Sequence, residues 1–318
     1  MTAPFFSVII PVYNRAVPLE RALQSVLVQT CQDFEIVVVD DGSADDPRAV
    51  AESFADPRIR FVRQDNAGGG AARNAAIDAA CGRFIAPLDS DDIFLPHHLE
   101  RMQALLKDTD GSVVGYARIR VERGGGRVIL KPPRAIREGE HMATYLLAER
   151  GFVPTITIAV ERRTARRIRY DGVLRTAEDT DFALRLYLAG CRFRMIEEPG
   201  AVWMDLADPG RTSATRRGQR FGGWLDRLKP MIPARAYHGG RGWAYAKLIA
   251  HERPLAALGL YLNAVLRGCY APGLAVIVFL QIFLGRRYRN LADHAIRWLK
   301  VGLRERAQKD SPRALEQT

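Results

Sequence analysis

The 318 residues hold four cysteines, and no arrangement of them does chemistry. Cys31, Cys81, Cys191 and Cys269 are far apart, with no Cys-x-x-Cys pair. That excludes both a zinc knuckle and a disulfide framework and predicts reduced, mostly buried thiols. Long apolar runs are also lacking. The longest uncharged candidate, Cys269 to Gly285, is 17 residues, is interrupted by Pro272 and Gly273, and falls below the ~20 residues that span a bilayer. It reads as a buried helix or as one lying in a membrane interface. The first 30 residues carry no basic segment leading into an apolar block, so no secretory leader is visible and a cytoplasmic location is expected, with peripheral contact at the inner face of the membrane. Acid is in deficit: 47 Lys and Arg against 36 Asp and Glu give a net charge of +11. Basic patches at 162–169, 211–220 and 286–289 suit anionic lipid or a polyanionic acceptor, or are simply solvated surface. No recognition helix or aromatic RNP strand accompanies them, which argues against nucleic acid.

What is present is a regular alternation. Ser7 to Val12 is a β-branched run closed by Tyr13-Asn14, and Leu19, Leu23, Val26 and Leu27 then recur at helical spacing. Phe34 to Val39 repeats the strand pattern and ends in Asp40-Asp41-Gly42-Ser43, and Arg58 to Val62 suggests a third strand. Asn66-Ala67-Gly68-Gly69-Gly70-Ala71-Ala72-Arg73-Asn74 opens a helix; its glycines do not fit G-x-G-x-x-G, which disfavours a dinucleotide-binding dehydrogenase. Phe84 to Ala86 leads into Leu88-Asp89-Ser90-Asp91-Asp92. Carboxylates so crowded repel one another unless a cation or a hydrogen-bond network compensates, and a hard cation such as Mg²⁺ or Mn²⁺ prefers oxygen ligands. An acidic helix-capping turn is the plainer reading of that short string. Alternating strands and helices predict a doubly wound, mostly parallel α/β sheet, in which ligands bind beyond the carboxyl ends of the strands. The acidic segments should therefore share one rim.

The ordered set SVIIPVYNR, VVVDDGS, NAGGGAARN, LDSDD and, much later, Glu178-Asp179-Thr180-Asp181 resembles the family 2 inverting glycosyltransferases of the GT-A fold. The resemblance covers roughly residues 5 to 215 and implies a sugar moved from a nucleoside-diphosphate sugar, UDP-linked, to the hydroxyl of a saccharide or lipid-linked acceptor. It places Pro11, Tyr13 and Asn14 beside the base and ribose, with Tyr13 stacking on the base, and Asp40 on the uracil ring with Asp41 beside it. Gly69 lets the backbone approach the ligand, Arg73 faces the diphosphate with Asn74 adjacent, and Asp89 and Asp91 match Asp-x-Asp, with Ser90 in the donor site. Asp91 is the first choice of ligand for Mn²⁺ or Mg²⁺, with Asp89 and Asp92 beside it. Asp179 is the implied base, next to Glu178 at the start of a helix. Each residue also has a plainer role: Tyr13 packing on its sheet, Asp40-Asp41 in a turn, and Glu178 and Asp179 as acids favoured at a helix N-terminus.

The sequence departs from the family in one respect. Relatives often carry a His after the second-half strand, but Val202 to Asp208 contains none. Asp205 or Asp208 is a substitute, or Arg211 with Thr212 and Ser213 holds the diphosphate. Trp203 suits a sugar or the core. The expected organisation is a nucleotide-sugar half (1–110), an acceptor half (111–215), a C-terminal helical region (216–308) and a disordered tail (309–318). Within the second half, 112–121 and 127–130 read as a hairpin across Gly124 to Gly126. Val153 to Val160 reads as a strand, 178–190 as a helix with Thr176 as N-cap, and 192–196 as a strand. Two rivals remain. A sugar-nucleotide nucleotidyltransferase would open with a Gly-rich phosphate loop where Pro11 to Asn14 stands. A non-catalytic sugar-nucleotide or polyanion-binding protein would share the rim without the chemistry.

Overall fold

The computed structural model describes residues 3–122, 128–174, 177–205 and 217–284. Two compact units divide the chain, 1–237 and 238–318.

In the first unit β1 (Phe6–Val12), α1 (Ala16–Leu27), β2 (Phe34–Asp40), α2 (Pro47–Ser53), β3 (Ile59–Arg63), α3 (Gly69–Ala79) and β4 (Phe84–Pro87) alternate as expected. Then come β5 (Ile93–Phe94), α4 (His98–Leu106), β6 (Val113–Glu122), β7 (Val128–Lys131), α5 (Met142–Ala148), β8 (Val160–Glu161), α6 (Arg162–Ile168), α7 (Glu178–Leu188) and β9 (Arg192–Met204). The unit closes with α8 (Arg217–Leu228), and α9 (Ala234–Gly240) runs across the boundary. One sheet has the order β3-β2-β1-β4-β8, parallel except for β8. The other has the order β5-β9-β6-β7, in which β6 and β9 are parallel.

β1 and β2 read as continuous apolar runs because both faces are covered: Val8, Ile9, Ile10, Ile36, Val37 and Val38 are fully buried. α1 turns Leu19, Leu23 and Val26 onto that sheet. Pro11 lies in a central strand, where a missing N–H normally breaks a ladder. It is tolerated because β4 stops pairing with β1 at Ile9. Glu35, an acid in the same buried run, is satisfied by the Ser7 hydroxyl at 2.6 Å and the Gly82 amide at 3.1 Å.

The segment expected as a strand over 153–160 is instead a 3₁₀ turn, Thr155–Thr157, followed by the two-residue β8. Pro154 supplies no N–H for a ladder, and the Thr157 hydroxyl donates to the Ala117 carbonyl at 2.8 Å, which secures the turn to β6. The hairpin of β6 and β7 forms as expected, while Gly124 to Gly126 and Thr176 lie outside the described residues. Cys31, Cys191 and Cys269 are buried and Cys81 is exposed.

The described residues of the second unit are helical, with α10 (Ala246–Ile249), α11 (Pro254–Leu266) and α12 (Pro272–Phe283) preceded by a π-helical turn, 241–245. Ala257, Tyr261 and Ala264 pack with Ala275, Val278 and Ile282.

Candidate active site

The site starts at the carboxyl ends of β1, β2 and β4, where strand ends cross-link the loops. Asn14 holds φ +51, a left-handed conformation that Asn tolerates. Its amide donates to the Ser43 hydroxyl at 2.9 Å and its side-chain oxygen accepts the Ala44 amide at 2.7 Å. Tyr13 stands 43% exposed at this rim and Pro11 is half-buried.

The two adjacent aspartates do different work. Asp41 accepts Gln64 Nε2 at 2.7 Å and the amides of Ala67 and Gly68 at 2.9 and 2.8 Å, so both its oxygens order the loop entering α3. Asp40 is fully buried and accepts the Ser43 amide at 2.8 Å through Oδ1. Its Oδ2 is sealed from solvent, receives no aligned hydrogen bond and lies 2.9 Å from the Arg63 guanidinium.

Gly68 takes φ +93 as the cap of α3, a conformation L side chains avoid. A Cβ on Gly70 would meet the Asp171 carbonyl oxygen at 3.1 Å, so a side chain there would push the 170–172 loop away from α3 by a few tenths of an ångström. Gly69 is exposed beside them. Asn74 locks the same loop, accepting the Tyr170 amide at 2.8 Å and donating to its carbonyl at 2.9 Å.

Arg73 is the centre of the site. Its side chain is buried and its Nη2 lies 2.6 Å from Asp89 Oδ1. Nη1 is 3.7 Å from both Glu178 and Asp179, and the guanidinium sits 5.4 Å from the ring centre of Tyr170. Burial opposes the charge, but Asp89, Asp179, Tyr170 and Glu178 override it and hold Arg73 well above the usual range. Asp179 is 41% exposed as a side chain, yet its Oδ1 is sealed from solvent and lacks a hydrogen bond. Burial pushes the carboxyl up to about 6, with Arg73 and Thr155 opposing and Glu178 and Asp89 reinforcing. Ala177, at φ +64, aims the start of α7.

The DSDD carboxylates are held separately. Asp91 pairs with Arg15, Asp89 with Arg73, and the buried Asp92 accepts the Met204 amide at 2.9 Å, tying the motif to the end of β9. Ser90 is buried between them. Among the described residues no three His, Cys, Asp or Glu side chains form a metal cage. The arrangement fits a hard cation that takes one or two carboxylates and completes its shell with phosphate and water. Asp89 and Asp91 have side chains 33% and 24% exposed at the rim. Met204 and Asp205 end the described part of this loop, and Asp208 and Arg211 lie outside it.

The rim thus joins all five sequence motifs. The family model described as Glycosyl transferase family 2 matches residues 7–166, about half of the chain. The chain belongs to glycosyl transferase family 2. Among its relatives, the amylovoran biosynthesis glycosyltransferase AmsB of Erwinia amylovora is 29% identical over 72% of this chain and 79% of that one. The succinoglycan biosynthesis protein ExoO of Rhizobium meliloti is 32% identical over 73% of this chain and 67% of its own length. Among solved structures, S. aureus TarS 1–349 in complex with UDP-GlcNAc superposes with a TM-score of 0.62 at 20% identity, covering 80% of this chain and 79% of that one. The mannosyltransferase PcManGT of Pyrobaculum calidifontis, in complex with GDP-Man and Mn²⁺, gives 0.57 at 17% identity over 92% and 84%. These two establish the GT-A fold for this family 2 chain.

Three site residues carry no motif signal of their own. Arg63, Thr155 and Tyr170 come from unremarkable stretches. Arg15 closes the SVIIPVYNR motif, and the resemblance gives it no role there.

Proposed function

We propose that the protein transfers a sugar from a nucleoside-diphosphate sugar, UDP-linked, to an acceptor hydroxyl with inversion, in the assembly of a polysaccharide or lipid-linked saccharide. The observation that carries this reading is Arg73, which joins the DSDD carboxylate Asp89 to Glu178 and Asp179 and so sets a donor site against a base. Tyr13 stacks on the nucleotide base. Asp40, as the family resemblance implies, accepts the uracil N–H. Arg73, with Asp89 and Ser90 beside it, faces the diphosphate.

Mn²⁺ or Mg²⁺ would be held by Asp91 and Asp89, with Asp92 behind them, and would neutralise charge on the departing diphosphate. Asp179 takes the acceptor proton as the hydroxyl oxygen bonds to the anomeric carbon; the carbon–oxygen bond to the diphosphate breaks and its electron pair leaves with the diphosphate. A carboxyl raised to about 6 is ionised at neutral pH and a stronger proton acceptor than an ordinary aspartate. A single displacement inverts the anomeric centre.

AmsB and ExoO, named for polysaccharide biosynthesis, support the acceptor class. The UDP-GlcNAc of the TarS complex and the Mn²⁺ of the PcManGT complex support the donor class and the metal. Peripheral contact with the inner face of a membrane, where lipid-linked acceptors reside, completes the reading.

The test is a screen of UDP- and GDP-sugars with Mn²⁺, following nucleoside diphosphate release. Release is expected from a UDP-sugar, and Asp179→Asn should lower turnover by roughly 10²-fold while donor affinity holds. Near-wild-type turnover in that variant would move the base elsewhere, and a product of retained configuration by NMR would reject single displacement.

A further inference from the structure

No helix among the described residues is long and apolar enough to cross a membrane. The second unit nevertheless exposes large apolar side chains. From Pro254 to Leu284 the only charged residue is Arg267, and the two helices in this stretch bury one face each against the other. The opposite face of α11 carries Leu255, Leu262 and Leu266 at 83, 46 and 87% exposure. Their spacings of seven and four residues put them on one stripe. On α12, Val276 and Phe279 are 59 and 39% exposed. Phe279 also packs 5.5 Å from Tyr261, on the face that α11 turns toward α12. The three leucines share one exposed helix face, and a stripe of this kind marks an interaction surface.

Charge identifies the occupant. Residues 238–318 hold 13 Lys and Arg against 5 Asp and Glu, which is most of the excess of the whole chain. Within the described residues, exposed Arg253 and Arg267 cap the two ends of α11. An apolar stripe bracketed by cations matches the boundary between acyl chains and anionic headgroups, with the long arginine side chains reaching back to phosphate. A second copy of this chain would bring like charges together at the same face.

We infer that α11, backed by α12, forms a monotopic docking element that lies in the surface of an anionic bilayer, with Leu255, Leu262 and Leu266 immersed and Arg253 and Arg267 at headgroup level. The inference gives the peripheral contact proposed above its structural element. It rests on that contact alone, so it can fail while sugar transfer stands, and the reverse.

The experiment is sedimentation of the full-length protein with phosphatidylcholine vesicles, pure or containing about one-third phosphatidylglycerol. Binding to the anionic vesicles is expected to exceed binding to neutral ones at least about tenfold and to weaken in high salt. Leu255→Glu with Leu266→Glu, at positions exposed enough not to disturb folding, should lower partitioning about tenfold or more, and nucleoside diphosphate affinity should be unchanged. Arg253→Gln with Arg267→Gln should remove the preference for anionic vesicles. Wild-type protein left in the supernatant, or a double Glu variant that sediments like wild type, overturns the inference. A dimer in solution that the double Glu variant dissociates, without vesicle binding by wild type, also overturns it and assigns the face to a second copy.

Discussion

Replacing Arg73 by Gln removes the cation around which Asp89, Glu178 and Asp179 are arranged. Nη1 lies 3.7 Å from Asp179, and at an effective dielectric of ~20 a pair at that distance is worth about 4 kcal/mol. That is roughly three pK units if fully expressed. Asp179 keeps 41% of its side chain in solvent, so screening leaves about a third, or about one unit. The carboxyl pushed up to about 6 in the native protein should therefore titrate near about 7 in Arg73→Gln. With Asp179 as the proposed base, which must be ionised to act, the rising limb of kcat/KM for donor hydrolysis should move to higher pH. Arg73→Lys keeps the charge and should leave the limb within a few tenths, although the two-nitrogen bridge between Asp89 and Asp179 is lost. A limb that stays in place in Arg73→Gln, or moves to lower pH, would refute the electrostatic account of this site.

The same residues set a stability trend. The native Asp179 carboxyl binds its proton more tightly than the unfolded one, about 6 against the ordinary 3.8, so its contribution favours folding at low pH and is lost as pH rises through the folded value. Without Arg73 the penalty for ionising Asp179 grows. The deficit of Arg73→Gln in thermal melting should accordingly widen from about pH 5 to about pH 8.

Two further outcomes are expected. Asp91→Asn should fold and lose divalent-dependent binding of nucleoside diphosphate; equal affinities for wild type and variant, by calorimetry with and without Mn²⁺, would remove Asp91 from the site. Asp181 is buried and accepts Trp224 Nε1 at 2.8 Å and Arg185 Nε at 2.6 Å, while Arg185 also donates to the carbonyls of Ile168 and Arg169 just before Tyr170. Asp181→Asn should cost about 1–3 kcal/mol in chemical unfolding, and a loss below about 0.5 kcal/mol would show that this network does not hold the Tyr170 loop.

The sheet and the helices of the first half are legible in the sequence because local patterns encode them. Apolar runs such as Phe34 to Val39 require cover on both faces, and the spacing of Leu19, Leu23 and Val26 has one helical solution. The site is legible only as a set of strand-end acids. Asp40 and Asp41 are neighbours in one turn signal, and nothing local says that Asp41 spends both oxygens on the α3 loop while Asp40 pairs with Arg63. Asn74 and Tyr170 meet across 96 residues, and no local period encodes such a distance. The strand expected at 153–160 failed for the same reason, since the Thr157 hydroxyl found its partner on β6.

The acidic cluster itself yields the last step. Three carboxylates in sequence required compensation, and a metal was the obvious supplier. The chain supplies much of it from its own groups: Arg15 for Asp91, Arg73 for Asp89 and the Met204 amide for Asp92. The motif is therefore stable on its own charges. In the proposed donor site a divalent ion entering with a diphosphate would have to share Asp91 with Arg15 and Asp89 with Arg73. In this site the ion and the arginines bind the same charge, so removing either arginine should tighten the protein's demand for metal, and Arg15→Gln is the variant in which that demand can be read without disturbing Asp179.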